Sequence, residues 1–288
     1  MNVQWYPGHM AKTRRLIAEQ LGKVHAVCEI LDARIPRSSR NPDIDALTAG
    51  KPRLVILNRA DQADRNAAAR WKDHFRASGF AVLETDSKSG RGCNLFAAAV
   101  RDLLADKIRA WEEKGQAGRS VRVMVLGIPN VGKSTFINRV AGRKAAAAED
   151  RPGVTRGKQW VSVDKRLELL DTPGVLWPKF EDQTVGLHLA FTGAVKDDVL
   201  DMETLGCHLA ALLGERYPES LKSAYKLPDL PSRADTEIAW GYSILQAAGR
   251  KRGFLISGGE VDTERCTRIL LDEFRSGKLG RFTLEEPE

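Results

Sequence analysis

The sequence predicts an α/β domain on a mostly parallel, three-layered sheet, followed by a smaller all-helical domain. Three observations predict it. Short apolar runs such as RLVILN and VRVMVL alternate with helical patterns as far as residue 178. That alternation is what helices crossing over a parallel sheet leave in a sequence. After Pro178 the texture changes, and residues 184–275 carry helical spacing with no convincing strand. Third, the Gly-rich segment GIPNVGKST sits between a strand-like run and a helical one. The domains are placed at 1–178, with a basic N-terminal segment, and 179–288.

The elements follow in order. The opening VQWYPGHM sets Trp5, Tyr6, Pro7, Gly8 and His9 before any helix. Residues 12–24 place Ile17, Leu21 and Val24 at helical spacing among basic residues. VCEILDARIP is a buried strand running into RIPRSSRNP, a basic loop rich in turn residues. RLVILN is a second strand, and residues 65–78 form an alanine-rich helix. FAVLETDSKSG is a third strand entering a turn. Residues 93–114 give one long helix, with Leu95, Ala99, Leu103, Ile108 and Trp111 on a face and Gly115 as its stop. SVRVMVLG is the next strand, and a helix then runs through Val140. AAAAEDRPGVTRGKQW has no pattern and suits a switch loop. RLELLDTPG is a further strand and loop. In the helical part, METLGCHLAALLGERY aligns Leu205, Leu209, Leu212 and Leu213. Two later helices both open on Asp-Thr-Glu and close on basic residues followed by glycine.

Composition narrows the function classes. Of 288 residues, 42% are hydrophobic and 29% charged, enough for a packed core under a water-soluble surface. No run approaches the roughly 18 apolar residues of a membrane span, and the N-terminus lacks an apolar signal-peptide core. Cys28, Cys93, Cys207 and Cys266 are far apart with no CxxC pair. That argues against zinc and for reduced thiols in a cytoplasm, two of them core. The net charge is +7, of which residues 1–53 carry +4. Such an excess suits a polyanionic partner, and equally suits ordinary solubility.

GIPNVGKST fits G-x-x-x-x-G-K-[ST] through Gly127, Gly132, Lys133 and Ser134. Glycines let backbone N–H groups converge on phosphate, and the helix that follows adds positive partial charge. The predicted phosphate-contacting run is Asn130, Val131, Gly132, Lys133, Ser134 and Thr135. Lys133 reaches the terminal phosphates and Ser134 offers a hydroxyl to Mg²⁺. Asp171, at the end of an apolar strand, is placed to hold Mg²⁺ through water. The Gly174 amide then faces the γ-phosphate. Thr155 is the natural second hydroxyl for the metal. Thr172 is the alternative, with no side-chain route to it.

LNRAD distinguishes the base. Asn58 and Asp61 end an apolar strand in Asn-x-x-Asp. A carboxylate can accept from guanine N1 and its 2-amino group but meets no such donors on adenine. In DSKSGRG, Asp86, Ser87 and Lys88 resemble the Ser-Ala-Lys turn of GTPases, with the Ser87 amide expected at guanine O6. Arg59 stands where lysine is usual and can stack its plane on a base. Asp86 stands where serine is common, which puts a supporting hydrogen bond of the turn in question.

The base motifs precede the phosphate loop, the reverse of the ordinary order. With QWYPGHMAK, DARIPRSSRNP, GIPNVGKST and LLDTPGVLWPKFED, the chain resembles the circularly permuted ribosome biogenesis GTPase A family. The resemblance covers nearly the whole chain and is weakest after about residue 195. It implies GTP hydrolysis coupled to late assembly of the large ribosomal subunit, in a cytoplasmic monomer contacting rRNA. It also implicates His9 in catalysis, because Val175 occupies the place of the usual water-orienting glutamine. Asn130 is a candidate K⁺ ligand by analogy with potassium-dependent GTPases. Two other functions compete: a metabolic P-loop enzyme such as a nucleotide kinase, and a nucleotide-regulated RNA-binding protein with vestigial hydrolysis. The expected RNA contacts are Arg34 to Arg40 and the helix end Arg250, Lys251 and Arg252. Trp240, Tyr242 and Phe254 are expected in the core.

Overall fold

The computed structural model describes residues 3, 8–142 and 159–287. Continuous apolar runs make the central strands. β1 (Ala26–Asp32) and β2 (Arg53–Asn58) are buried at every position, which requires cover on both faces of the sheet. β3 (Ala81–Glu84), β4 (Val121–Leu126), β5 (Gln159–Asp164) and β6 (Leu167–Asp171) complete six strands in the order β3-β2-β1-β4-β6-β5. All neighbours are parallel except β5, which pairs antiparallel with β6 at the edge. The fold is therefore α/β with a mostly parallel sheet, as expected, and β5 is the strand that the sequence pattern left out. Its run QWVSVD is exposed at three of six positions, so it has little apolar signal.

Helices occupy the connections. In chain order they are α1 (His9–Leu21), α2 (Pro42–Leu47), α3 (Arg65–Ala77), α4 (Phe96–Leu103), α5 (Ala105–Glu113) and α6 (Lys133–Val140). α1 begins three residues earlier than the expected 12–24, so His9 opens a helix rather than preceding one. The expected helix over 93–114 is a short 3-10 turn and two helices broken at Leu104, whose φ of −110° leaves the helical region. α2 starts on Pro42, the last residue of the expected loop RIPRSSRNP, and runs through residues for which the sequence pattern indicates no element; it is capped by Asn41, whose side chain accepts from the Asp43 N–H. Trp71 and Phe75 of α3 pack with Leu31, Val55 and Leu57 of the sheet. Phe96 of α4 meets Phe136 of α6 edge-on at 5.1 Å.

The chain divides into two compact units. The sheet unit is Tyr6–Lys179 with Glu285–Glu288, and the helical unit is Phe180–Leu284 with Met1–Trp5. The difference from the expected 1–178 and 179–288 lies at the chain ends, which exchange units. The reason is local bonding. The Val3 N–H donates to Gln183 Oε1 at 3.2 Å in the helical unit. The Glu285 carboxylate is 4% exposed and accepts from Arg37 N–H at 2.7 Å in the sheet unit.

The helical unit holds α7 (Gln183–Phe191), α8 (Met202–Arg216), α9 (Pro218–Tyr225), α10 (Glu237–Arg252) and α11 (Thr263–Ser276). α8 packs against the other four and buries Leu205, Leu209 and Leu213. The two Asp-Thr-Glu starts cap differently. In α10 the Thr236 hydroxyl accepts from Ala239 N–H, whereas in α11 Asp262 accepts from Arg265 N–H. Both close on left-handed glycines, Gly253 and Gly277. Trp240 is buried as expected, but Tyr242 is 41% exposed. All four cysteines are free and buried. Among the described residues no helix is long and apolar enough to cross a membrane.

Candidate functional site

β2 and β4 end side by side with only β1 between them, so the segments that follow them share one end of the sheet. In a parallel sheet that carboxyl end is where ligands bind. Asn58 closes β2 and Gly127 follows β4.

Asn58 is 2% exposed and joins three segments. Its Nδ2 donates to the Val131 carbonyl at 2.9 Å. Its Oδ1 accepts from the Ser87 hydroxyl at 2.6 Å, the Ser87 N–H at 3.2 Å and the Thr85 hydroxyl at 3.1 Å. The Ser87 amide, expected at guanine O6, is thus engaged with Asn58 here. Arg59 reaches across as well, donating to the Asn130 carbonyl at 2.9 Å, with its Nε 3.6 Å from Asp32. From the other side, Arg139 of α6 donates to the carbonyls of Ser87 and Lys88. Two side-chain links therefore stitch the early base segments to the phosphate loop, and two more to the helix that follows it.

The turn at Asp86 has the support that its sequence put in question. Its Oδ1 accepts from Lys88 N–H at 3.0 Å and Ser89 N–H at 3.1 Å, and the Ser89 hydroxyl donates to Oδ2. Burial acts to raise this carboxyl's pKa, but those hydrogen bonds outweigh it and hold the group below its ordinary range. Asp61 is half-buried, and its carboxylate accepts no hydrogen bond among the described residues. It remains an acceptor at the mouth of the base segment.

The phosphate loop shows why its glycines are needed. Gly132 has φ +95°, and a Cβ there would lie 2.5 Å from Asn58 Nδ2. A Cβ on Gly174 would lie 2.8 Å from the Pro129 backbone and 3.1 Å from Lys133 Nζ. The Asp-x-x-Gly turn and the loop are therefore in direct contact. Lys133 is buried and donates to the carbonyls of Gly127 at 3.1 Å and Ile128 at 2.8 Å. Burial brings its pKa down to about 8, against the opposing pull of Asp171. Asp171 is pushed up to about 6 by burial, which Lys133 and the Thr172 N–H only partly offset.

Asp171 Oδ1 is buried without a hydrogen-bond partner. An orphaned carboxylate oxygen beside a phosphate loop fits a hard cation. Among the described residues no three His, Cys, Asp or Glu side chains gather as a metal cage. Mg²⁺ is a hard cation that takes one or two protein carboxylates and keeps water and phosphate for the rest. Ser134 is half-buried in the first turn of α6. The Thr172 hydroxyl donates to the Val125 carbonyl at 2.7 Å. Thr155 lies outside the described residues, as does the side chain of His9. Val131 is buried and Thr135 exposed.

Other residues escaped the sequence reading. Arg34, expected on an RNA-binding loop, is fully buried. Its guanidinium grips Asp32 with two bonds of 2.9 and 2.7 Å. Burial alone would raise the Asp32 carboxyl, yet Arg34 and then Arg59 hold it low. Arg40 pairs with Asp45 at 2.8 Å, so of the three loop arginines only Arg37 is exposed. Asn41, besides capping α2, donates to the Val175 carbonyl at 3.2 Å, next to Gly174. The mixed Asp, Arg and Asn content of this loop was the only available signal, and it suggests a surface as readily as a buried lattice.

Comparison with known proteins agrees with this geometry. A sequence model described as "50S ribosome-binding GTPase" matches residues 122–205. That span holds the phosphate loop and Asp171 but none of the base segments, which come earlier in this chain. Ribosome biogenesis GTPase A of Bacillus licheniformis is 46% identical over 288 residues, covering 100% of this chain and 99% of its own. The same-named protein of Priestia megaterium is 45% identical, covering 100% and 98%. The solved structure of GNP-bound YlqF from T. maritima matches with a TM-score of 0.64 at 26% identity, over 96% of this chain and 99% of that one. With the base segments before the phosphate loop and full-length similarity on both counts, the chain belongs to the ribosome biogenesis GTPase A family of circularly permuted GTP hydrolases.

Proposed function

We propose that this GTPase acts in late maturation of the large ribosomal subunit, in the cytoplasm, and that the ribosomal particle stimulates its hydrolysis. The observation that carries the reading is Val175. This residue follows Gly174, is 1% exposed, and has its amide on the Gly127 carbonyl at 3.3 Å. Its apolar side chain has no group to orient an attacking water, so that group comes from elsewhere. The relatives' names specify ribosome biogenesis, and the matching family model is described as binding the 50S particle.

In this reading Asp61 accepts from guanine N1 and N2. Asn58, with Ser87, Thr85 and Arg139 around it, fixes the base segment against the phosphate loop, and Asp86 shapes the turn. Arg59 closes over the loop through the Asn130 carbonyl. The amides of Val131 to Thr135 and of Gly174 take the phosphates. Lys133 leaves its carbonyl partners to meet the terminal phosphate charge. Mg²⁺, when bound, would neutralise phosphate charge. Ser134, Asp171 through water, and Thr155 would hold it, and K⁺ beside Asn130 is the finer part of the proposal. His9 supplies the missing water-positioning group, since imidazole can accept from water or donate to phosphate oxygen.

Single-turnover hydrolysis with and without large subunits tests this. The wild type should accelerate with particles. His9→Ala should keep its GTP affinity and particle binding but lose roughly ten-fold or more of the stimulated rate. A wild-type rate in His9→Ala would return that residue to structure. Absence of particle stimulation in the wild type would overturn the whole reading.

A further inference from the structure

The phosphate loop, Asn58 and Gly174 lie at the carboxyl end of the parallel strands. The opposite end carries three cations and a histidine. Lys51 lies just before β2, Arg119 just before β4 and Arg166 just before β6, with the His25 ring just before β1 between them. Those strands are adjacent in the order β2-β1-β4-β6. At about 4.8 Å per strand they cross roughly 15 Å. Lys107 of α5 joins this group through Trp111. Its Nζ lies 5.7 Å from the Trp111 ring centroid, and the Arg119 guanidinium lies over the same ring at 4.8 Å.

These cations are not neutralised internally. Among the described residues, Lys51, Lys107, Arg119 and Arg166 have no carboxylate within ion-pairing distance, whereas Arg122 nearby is paired with Glu168 at 2.9 Å. Lys107, Arg119 and Arg166 are exposed. His25 sits at the centre, its ring edge-on to Trp111 at 4.8 Å and its Nδ1 accepting from the Arg122 N–H at 2.9 Å. Burial, then Lys107, Arg119, Lys51 and Arg122, depress its pKa to about 4, so it stays neutral among the cations. Beside Trp111 an open cavity of about 200 Å³ is bounded by Arg119, Arg166 and Arg101, with Glu112 the one carboxylate on its wall.

We propose that this end of the sheet is an RNA-contact surface, with a phosphodiester backbone lying along Lys51, Lys107, Arg119 and Arg166 and one nucleotide entering the cavity beside Trp111. The proposal rests on the reading of a ribosomal RNA partner given above. A group of cations without carboxylate partners suits a polyanionic polymer, with Lys51 Nζ resting on the Val24 carbonyl at 2.8 Å until phosphate competes for it. Trp111 acts as a platform that keeps Lys107 and Arg119 turned outward. The phosphate loop is a full strand away: the six residues of β4 span roughly 20 Å. Contact here leaves the nucleotide site open.

The test uses the full chain with Lys107→Ala, Arg119→Ala and Arg166→Ala combined. The probes are purified large ribosomal subunits and a single-stranded uridine homopolymer, each titrated across a salt series. The variant should bind particles at least ten-fold more weakly. Its dependence of log affinity on log salt should be shallower by roughly two to three, the share of three phosphate contacts. GTP affinity and particle-free hydrolysis should match the wild type. Equal affinity and equal salt slope in wild type and variant would overturn the proposal. Loss of particle binding with an unchanged slope and no homopolymer binding by either protein would point to a protein contact and overturn it too. If the wild type ignores particles yet binds the homopolymer, and the variant does not, the surface stands and the ribosomal reading falls.

Discussion

Asp61 and Asp171 are two carboxylates at one end of a sheet to which the proposed function gives different tasks. Asp61 is half-buried and accepts no hydrogen bond among the described residues, so its free lone pairs are what a guanine edge would meet. Asp61→Asn replaces one acceptor with a donor. It should weaken GTP and gain xanthosine triphosphate, whose 2-oxo group accepts, and competition between the two nucleotides measures the exchange. Asp171 is instead buried and raised to about 6. Mg²⁺ needs the ionised form, so affinity should be full above about pH 7 and fall as pH drops through 6. At pH 5 the carboxyl is mostly protonated, and Mg²⁺ should bind roughly ten-fold more weakly in the presence of nucleotide. Mg²⁺ titration at both pH values measures this, with Asp171→Asn as the variant whose profile should flatten. Spacing makes both residues stand out in the sequence: Asp171 closes β6, and Asp61 follows the end of β2. The work of Asn58 was only half legible. Its motif indicates a base reader, while its bonds to Val131 and Ser87 depend on loops far apart in sequence.

At the scale of elements, apolar periodicity found what it physically reports. β1, β2, β4 and β6 are buried runs, and α3, α6, α8, α10 and α11 follow their patterns. It missed β5, an edge strand with exposed positions, and α2, six residues with Ile44 its one buried side chain. It ran through Leu104 because both halves of that helix keep the same spacing. The C-terminal tail gave no periodic signal. Yet Glu285 accepts from the N–H groups of Arg37 and Ser38 and from the Ser38 hydroxyl, and its carbonyl accepts from Trp71 Nε1 at 3.0 Å. The tail therefore fixes the loop that carries Asn41. Glu285→Ala strands these buried donors at a cost of about 2–3 kcal/mol, the range for hydrogen bonds to a charged group. Thermal unfolding of the full chain should shift down by roughly 5 °C or more. An unchanged midpoint would mean that the loop is held without the tail.

At the scale of the whole molecule, the permuted order was the most legible feature and has the widest consequence. Segment order alone reveals it, since Asn58 and Ser87 precede Gly132 and Asp171. What order could not reveal is that the chain passes between its units three times, at residues 5/6, 179/180 and 284/285. The first is shortly before His9, the second shortly after Gly174, and the third directly before Glu285, which holds the loop carrying Asn41. In the proposed reading, in which the Gly174 amide meets the γ-phosphate, the second is the direct route from that amide to the helical unit. Val175 and Leu176 are buried in the sheet unit, which leaves Trp177, Pro178 and Lys179 before Phe180. Three residues reach at most about 10 Å. A shift of the Gly174 turn on γ-phosphate binding would therefore be transmitted rather than absorbed, provided that the link stays short and stiff. Inserting Gly-Gly-Ser-Gly-Gly-Ser after Lys179 makes the link long and flexible. The expected outcome is unchanged GTP affinity, because no residue of the phosphate loop or base turn is touched. Co-sedimentation with large subunits should then lose its difference between a GTP analogue and GDP, while total binding at low salt persists. If the inserted protein still distinguishes the two nucleotides as the wild type does, the signal travels by one of the other two passages, and the same insertion at residue 5/6 or 284/285 would identify which.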